Sequence, residues 1–286
     1  MKSRLDGYPG AVTANVSRTI VLTGASDGIG AAAARRLSRA GHRVVMVGRT
    51  PAKLEAVAAE LGADSFVADF SRLSDVRDLA AALLATYPRI DVLANNAGGI
   101  AAERELTEDG HEMTFQVNHL APFLLTQLLL DRLLTGRGAV VTTASAASRA
   151  GRIDLKDPEL RQRWSPFAAY SNSKLANIMF TRGLHRRYVL EGLSAAAFHP
   201  GVVATSFGSA AGGATQRFYG SALGRKVMLP ADDGADTLVW LAEGTPPRDW
   251  ASGWYYHKRL PKRPHPSVLD DQLVDDFWEL SASLVS

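Results

Sequence analysis

Thr19-Ile20-Val21-Leu22-Thr23-Gly24-Ala25-Ser26-Asp27-Gly28-Ile29-Gly30 opens as a short β-branched apolar run, turns through three glycines and leads into the strong helix formers Ala31 to Leu37. Strand, glycine-rich turn and helix, in that order, is the context in which such a turn acquires a ligand. Gly24 permits the sharp turn. Gly28 and Gly30 let a dinucleotide's pyrophosphate and the neighbouring strand approach the backbone closely. Amides at the start of the helix then face the phosphates. Three residues separate the first two glycines, so the pattern departs from GxGxxG, and a plain strand-to-helix turn is the alternative.

Further along, Arg43 to Val47 reads as a buried strand ending at Gly48-Arg49-Thr50, with Pro51 placed for the first turn of another helix. An acidic side chain at such a strand end would bind ribose hydroxyls and repel a 2′-phosphate. Gly48 and Arg49 stand there instead, and a guanidinium suits a phosphate, so NADP(H) is expected over NAD(H). A third strand, Ser65 to Ala68, ends at Asp69, which could accept a hydrogen bond from an adenine amino group or begin a helix. A helix over Asp75 to Thr86 leads to a fourth strand, Asp91 to Ala94, and then to Asn95-Asn96-Ala97-Gly98-Gly99. This alternation predicts an α/β fold: a Rossmann-type, doubly wound parallel sheet of about seven strands with helices on both faces. Ligands gather at the carboxyl ends of such strands, where these motifs fall.

A long helix is expected from about Thr107 through Leu134, carrying Asn118 in Phe115-Gln116-Val117-Asn118-His119-Leu120. An Asn in an apolar helix needs its amide satisfied, which suits a structural hydrogen bond or a site role. The fifth strand, Ala139 to Thr143, delivers Ser145 just past its end. In Tyr170-Ser171-Asn172-Ser173-Lys174 a phenol and an ammonium four residues apart share one helix face. A phenol with pKa near ~10 is a poor acid or base at neutral pH, but an adjacent cation favours the phenolate. The pair can then pass a proton to or from a substrate oxygen, although alone it also fits an ordinary solvated helix. A sixth strand, Leu193 to Phe198, ends in His199-Pro200-Gly201-Val202-Val203-Ala204-Thr205. Ser206 to Gly224 is rich in Gly, Ala and Ser, the composition of a substrate lid, and the lid region is taken as 206–229. A helix from Asp232, a strand near Trp254-Tyr255-Tyr256 and an amphipathic helix around Leu269 to Leu284 follow.

With 46% hydrophobic and 21% charged residues and no linker-like stretch, the 286 residues read as one domain, 1–286. The absence of cysteine excludes disulfides, thiolate metal sites and cysteine nucleophiles. Met1 to Thr19 shows no apolar run, and Leu120 to Leu134 is interrupted by Pro122, Gln127, Asp131 and Arg132. A cytoplasmic protein without membrane contact is therefore expected. The net charge of +3 is mildly basic, and the basic clusters His185-Arg186-Arg187 and Lys258 to Arg263 read as solvated surface, not as a nucleic-acid site. The seven histidines lack paired metal-ligand spacing, so no metal is expected.

Taken together, Thr23-Gly24-Ala25-Ser26-Asp27-Gly28-Ile29-Gly30, Asn95-Asn96-Ala97-Gly98, Asn118, Ser145, Tyr170-xxx-Lys174 and Pro200-Gly201 resemble the short-chain dehydrogenase/reductase superfamily in order and spacing. Val117-Asn118-His119-Leu120-Ala121-Pro122-Phe123, Tyr170 to Asn177, His199 to Thr205 and Phe277-Trp278-Glu279-Leu280-Ser281 are similar to its retinol-dehydrogenase and WW-domain-oxidoreductase-like branch. The resemblance implies an oxidoreductase that interconverts a carbonyl and an alcohol, with Tyr170 as general acid or base and Ser145 as donor to the substrate oxygen. It gives Lys174 the nicotinamide ribose and the lowering of the Tyr170 pKa, and Asn118 a water that relays protons to Lys174. It places NADP(H) along Gly24, Ser26, Asp27, Gly28, Ile29, Gly30, Arg49, Asp69, Phe70, Asn95, Ala97, Gly98, Tyr170, Lys174, Pro200, Gly201, Val203 and Thr205. The Val203 backbone and Thr205 hydroxyl would lie near the carboxamide, and Asn95 and Asn96 would anchor the strand end beneath the cofactor. Ser26 and Asp27 depart from the basic residue that many NADP(H)-using relatives carry there. The expected partner is a small hydrophobic carbonyl or alcohol. A silent nucleotide sensor is the alternative, which the complete tetrad disfavours. A third reading, a pure assembly subunit using the apolar Leu120 to Leu134 helix as its interface, is weaker, because burial within one subunit explains that helix equally well; a homo-oligomer stays open.

Overall fold

The computed structural model describes residues 17–201, 203 and 229–286. β1 (Thr19–Thr23) runs into α1 (Gly28–Arg39), whose N-cap Asp27 accepts a hydrogen bond from the Gly28 amide at 2.7 Å. β2 (Arg43–Gly48) precedes α2 (Pro51–Leu61), which begins on a proline whose missing N–H costs nothing in a first turn. β3 (Asp64–Val67), α3 (Leu73–Thr86) and β4 (Val92–Asn95) complete the first half.

The second half departs from the long helix expected over Thr107 to Leu134. The chain from Thr107 first makes a tight turn, with the Gly110 amide donating to the Thr107 carbonyl at 3.0 Å and the Thr107 amide to the His111 carbonyl at 2.8 Å. Helix begins at Met113, capped by the Glu112 carboxylate, which accepts from the Phe115 amide at 2.7 Å. Gln116–Leu120 is a π-helical turn; α4 (Ala121–Leu128) and α5 (Leu130–Thr135) follow, divided at Leu129. Leu120, Phe123, Leu125, Leu129 and Leu133 are all buried within the chain, which accounts for the apolar run without an oligomer.

β5 (Ala139–Thr143) is followed by a 3-10 turn over Ala146–Ala150 and by α6 (Pro166–Tyr188), where Ser165 Oγ accepts from the Ala168 amide and Pro166 starts the helix. β6 (Ser194–Phe198), α7 (Ala231–Glu243), β7 (Trp254–His257), β8 (Leu260–Lys262) and α8 (Asp271–Leu284) end the fold.

All of these strands join one eight-stranded sheet in the order β3-β2-β1-β4-β5-β6-β7-β8. Every pairing is parallel except β7 with β8. The eighth strand was not anticipated. Its three residues, Leu260, Pro261 and Lys262, are exposed, and proline is tolerated at an edge. Strand order reverses between β1 and β4, and an open parallel sheet opens its ligand crevice at such a switch point.

Alternation along the central strands builds a core on each face. Ile20, Leu22, Val44, Met46, Val92 and Ala94 pack with α1, α2 and α7. Val21, Val45, Leu93, Val140 and Ala197 pack with α3, α4, α6 and α8. Each fully buried aliphatic side chain is worth roughly 1.5–3 kcal/mol, so the sheet is rigid where its carboxyl ends carry the site.

Candidate active site

Where β1 ends, the glycine turn is packed hard against the neighbouring strand. A Cβ on Gly30 would lie 2.0 Å from the Gly24 carbonyl oxygen, which closes that position to any side chain and lets α1 start directly under the turn. Asn96 ties the strand ends together. Its Nδ2 donates to the Thr23 carbonyl at 3.1 Å, its Oδ1 accepts from the Thr143 hydroxyl at 3.1 Å, and the Asn96 and Ala97 amides both donate to Thr23 Oγ1 at 3.0 Å. Asn95 turns the other way, is 2% exposed and donates to the Thr126 hydroxyl at 3.0 Å, so its side chain belongs to the core.

Asn118 lies in the π-helical turn. Such turns displace one residue from regular helical register and recur at functional sites. Its Oδ1 accepts from the Gly99 amide at 2.7 Å, while its Nδ2 donates to the Gly99 carbonyl at 2.8 Å and to Ser173 Oγ at 2.9 Å. Ser173 in turn donates to the Tyr170 carbonyl at 2.8 Å, linking Asn118 to the tyrosine's own turn. Lys174 is 3% exposed, with Nζ donating to the Thr143 carbonyl at 3.2 Å and lying 5.6 Å from the centroid of the Tyr170 ring. Burial pushes its pKa down to about 8, which leaves the ammonium the main form at neutral pH. Gly98 fits between these groups: a Cβ there would lie 3.0 Å from Asn118 Oδ1 and 3.2 Å from Lys174 Nζ.

Ser145 caps the 3-10 turn, its Oγ accepting from the Ala147 amide at 3.2 Å. Because that acceptor site is used, the hydroxyl proton is left to point elsewhere. The turn is clamped to α6 by the Arg152 amide, which donates to Asn172 Oδ1 at 2.7 Å. Asn118, Ser145, Tyr170 and Lys174 therefore gather at the carboxyl ends of β4 and β5.

At the end of β2, Arg49 is exposed beside Gly48, and the Ser26 hydroxyl would lie 3.2 Å from a Cβ on Gly48. Lys53, on the first turn of α2, pairs with Asp27 at 3.4 Å, a pairing that leaves no mark in the local sequence. The Asp69 carboxylate accepts from the Ser71 amide at 3.0 Å and hydroxyl at 2.9 Å, and Phe70 is buried in the core with its carbonyl accepting from Gln116. Past β6, Pro200 and Gly201 are half-buried. Val203 and Ile29 both lie close to Gly234 of α7, where a Cβ would come within 2.7 Å of the one and 3.1 Å of the other. The preceding His199 stacks on His257 at 3.8 Å, and burial, then His257, Lys262 and Arg149, push its pKa down to about 4. Thr205 and all of the proposed lid except Leu229 lie outside the described residues.

These residues fit a dinucleotide: a packed glycine turn at a helix start, an acid-free β2 end with an exposed guanidinium, and a buried lysine beside Gly98. Among the described residues no group of three or more His, Cys, Asp or Glu could hold a metal ion, and no helix is long and apolar enough to cross a membrane.

Fold and site together define a dinucleotide-binding α/β protein with a Tyr–Lys–Ser–Asn constellation. The sequence profile of the short chain dehydrogenase family matches residues 18–214, and the chain belongs to that family. It is 42% identical over 275 residues to a protein of Streptomyces sp. (strain C5) assigned as the daunorubicin C-13 ketoreductase DnrU, covering 94% of this chain and 92% of that one. It is 35% identical over 280 residues to retinol dehydrogenase 13 of Homo sapiens, covering 94% and 84%. These relatives place it in the retinol-dehydrogenase-like branch. Among solved structures, an uncharacterized protein from Mycobacterium paratuberculosis superposes with a TM-score of 0.76, 34% identity and 98% coverage of both chains. A short chain dehydrogenase from Burkholderia cenocepacia J2315 in complex with NADP gives a TM-score of 0.66 at 28% identity, covering 85% and 96%.

Proposed function

We propose that this protein is an NADP(H)-dependent oxidoreductase that interconverts a small hydrophobic ketone or aldehyde with its alcohol, with Tyr170 as general acid and base. The observation that carries the reading is the convergence of buried Lys174 with Tyr170, Gly98, Asn118 and Thr143 at the end of the strand that delivers Ser145. Carbonyl chemistry is supported by relatives named a ketoreductase and a retinol dehydrogenase, and NADP(H) by solved relatives complexed with NADP.

The glycine turn, Ser26, Arg49, Ala97, Gly98, Lys174 and the Pro200–Val203 segment would hold the dinucleotide, which supplies the hydride when bound. In the reducing direction the Tyr170 hydroxyl gives its proton to the substrate oxygen, and in the oxidising direction the phenolate takes it back. The Lys174 ammonium favours that phenolate electrostatically. Ser145 Oγ, with its acceptor site held by Ala147, donates to the same substrate oxygen and stabilises the charge that develops there. Asn118 fixes the Gly98–Gly99 main chain against Lys174. A cytoplasmic location belongs to the same proposal.

The test is a panel of hydrophobic ketones and aldehydes with NADPH, and of alcohols with NADP, followed by cofactor absorbance. Turnover of at least one carbonyl–alcohol pair is expected. Tight cofactor binding with no turnover across the panel would favour a nucleotide-binding sensor.

A further inference from the structure

β7 carries two consecutive tyrosines that face opposite sides of the sheet. The Tyr256 hydroxyl accepts from the Ala251 amide at 2.8 Å and donates to the Ala251 carbonyl at 3.0 Å, closing the loop before its own strand. Tyr255 is 5% exposed, and its hydroxyl reaches two strands away, donating to the Ser145 carbonyl at 3.2 Å. Ser145 is thus held at both ends, by Tyr255 on its main chain and by the Ala147 amide on its Oγ. β7 also secures the next strand end. The His199 amide donates to the Tyr256 carbonyl at 3.0 Å, His257 stacks on His199, and the Tyr255 ring lies 5.6 Å from that of His199.

We infer that Tyr255 is a positioning residue for the reaction: its phenol fixes the Ser145 main chain at the end of β5, and so the direction in which Ser145 Oγ donates. The inference rests on the reading of Ser145 as donor to the substrate oxygen. A donor worth having must be aimed before the charge develops, because reorganisation during the reaction would cost what the hydrogen bond contributes. Burial supports the role by pushing the Tyr255 pKa up to about 12, against smaller lowering by Ser148 and Arg149, so the phenol is a protonated donor at neutral pH. A carbonyl merely in need of a partner could have been served by water at this half-exposed turn; here a side chain from β7 reaches it.

The experiment is a double-mutant cycle on the full chain. Tyr255→Phe removes one oxygen from a ring that keeps its packing, and it should lower kcat about tenfold with KM nearly unchanged. Introduced into Ser145→Ala, the same substitution should change kcat by less than about twofold, since the group it aims is gone. Tyr256→Phe removes an equally buried hydroxyl from the same strand and should lower the thermal midpoint without lowering kcat. If Tyr255→Phe loses its fold, Tyr255→Met serves in the same cycle. If Ser145→Ala shows no measurable rate, the kcat-only loss of Tyr255→Phe against the unchanged Tyr256→Phe decides. Equal kcat losses in both backgrounds, or wild-type kcat in Tyr255→Phe alongside a slow Ser145→Ala, would overturn the inference and leave the proposed reaction standing. Wild-type turnover in Ser145→Ala would overturn the donor role of Ser145, and the inference with it.

Discussion

The Lys174 ammonium sits 5.6 Å from the centroid of the Tyr170 ring while donating to the Thr143 carbonyl at 3.2 Å, so α6 and β5 jointly fix the cation beside the phenol. Tyr170→Phe keeps the ring beside Lys174 and removes the hydroxyl that would carry the proton. Folding and NADPH affinity should be nearly unchanged, while turnover falls by about 10²–10⁴. Steady-state rates with fluorescence titration of the cofactor check this, and wild-type turnover would remove Tyr170 from the mechanism.

Lys174 is also a burden on the unliganded fold. Its pKa is depressed by burial, so the folded state binds this proton less readily than the unfolded chain does. The resulting penalty is present below about pH 8 and is relieved as pH rises toward the ordinary value of 10.5. Lys174→Met should therefore raise Tm at pH 7, at roughly 2–4 °C per kcal/mol recovered, with the gain shrinking toward pH 10. The same variant should lose turnover and bind the cofactor more weakly. A lower Tm at pH 7 would mean that the bond to Thr143 outweighs desolvation.

Much of this site could be read in sequence because its chemistry is local. Strand, glycine turn and helix over Thr19 to Leu37, and the four-residue spacing of Tyr170 and Lys174, each depend on contacts within one or two turns. Asn118 stood out as an amide in an apolar run, but the π-helical turn that aims it leaves no periodic trace. The helix expected from Thr107 starts only at Met113, because Gly110 closes a turn before it and Glu112 supplies its cap. Ser173 reads as a spacer inside the Tyr170–Lys174 motif, yet it bonds both Asn118 and the Tyr170 carbonyl. Lys53 meets Asp27 only once α2 folds back beside α1, and Tyr255 meets Ser145 only through sheet order. Such pairings belong to topology, which a residue pattern carries only indirectly.

Arg49 and Lys53 should set cofactor choice by different amounts. Arg49 is exposed beside Gly48, where a 2′-phosphate is expected, and a charge-assisted hydrogen bond contributes roughly 1.5–3 kcal/mol. Arg49→Ala should narrow the preference for NADPH over NADH at least about tenfold. Lys53 is paired with Asp27 across solvent, so Lys53→Ala should narrow it less, through the Asp27 charge it leaves behind. Titrating both cofactors against the three proteins checks this. Equal wild-type affinities would rule out a 2′-phosphate site here.

Gly98→Ala tests the close approach at the centre of the site. Its Cβ would press on Asn118 Oδ1 and Lys174 Nζ, both held by hydrogen bonds. A displacement of about 1 Å at reacting groups can cost about 10² in rate. The variant should fold, retain most of its thermal stability and lose turnover on that scale. Unchanged kinetics would mean that Asn118 and Lys174 tolerate movement.

The segment between Ser145 and Tyr170 is pinned at Glu159. The Glu159 carboxylate is 3% exposed, accepts from the Glu112 amide at 2.6 Å and lies 3.5 Å from His111 Nδ1. His111 Nε2 donates to the Leu284 carbonyl at 3.0 Å, so one imidazole joins this segment to the end of α8. The hydrogen bond to Glu159 raises the His111 pKa above its ordinary 6.5, and its stabilising effect is full below that value and lost as pH rises through the raised one. Burial raises the Glu159 pKa, but His111 and the Glu112 amide lower it further, leaving it below the ordinary 4.5; its contribution is present above 4.5 and lost as pH falls through the lower value. The pair is therefore strongest between pH 4.5 and 6.5. Glu159→Gln keeps the shape and removes the charge, so it should destabilise the protein more at about pH 6 than at about pH 9, since the His111 charge is lost as pH rises. Urea unfolding of wild type and variant at both pH values measures the difference. An equal loss at the two would mean that Glu159 acts through the Glu112 amide and through Arg161, 3.7 Å away, and that His111 contributes no charge to the tether.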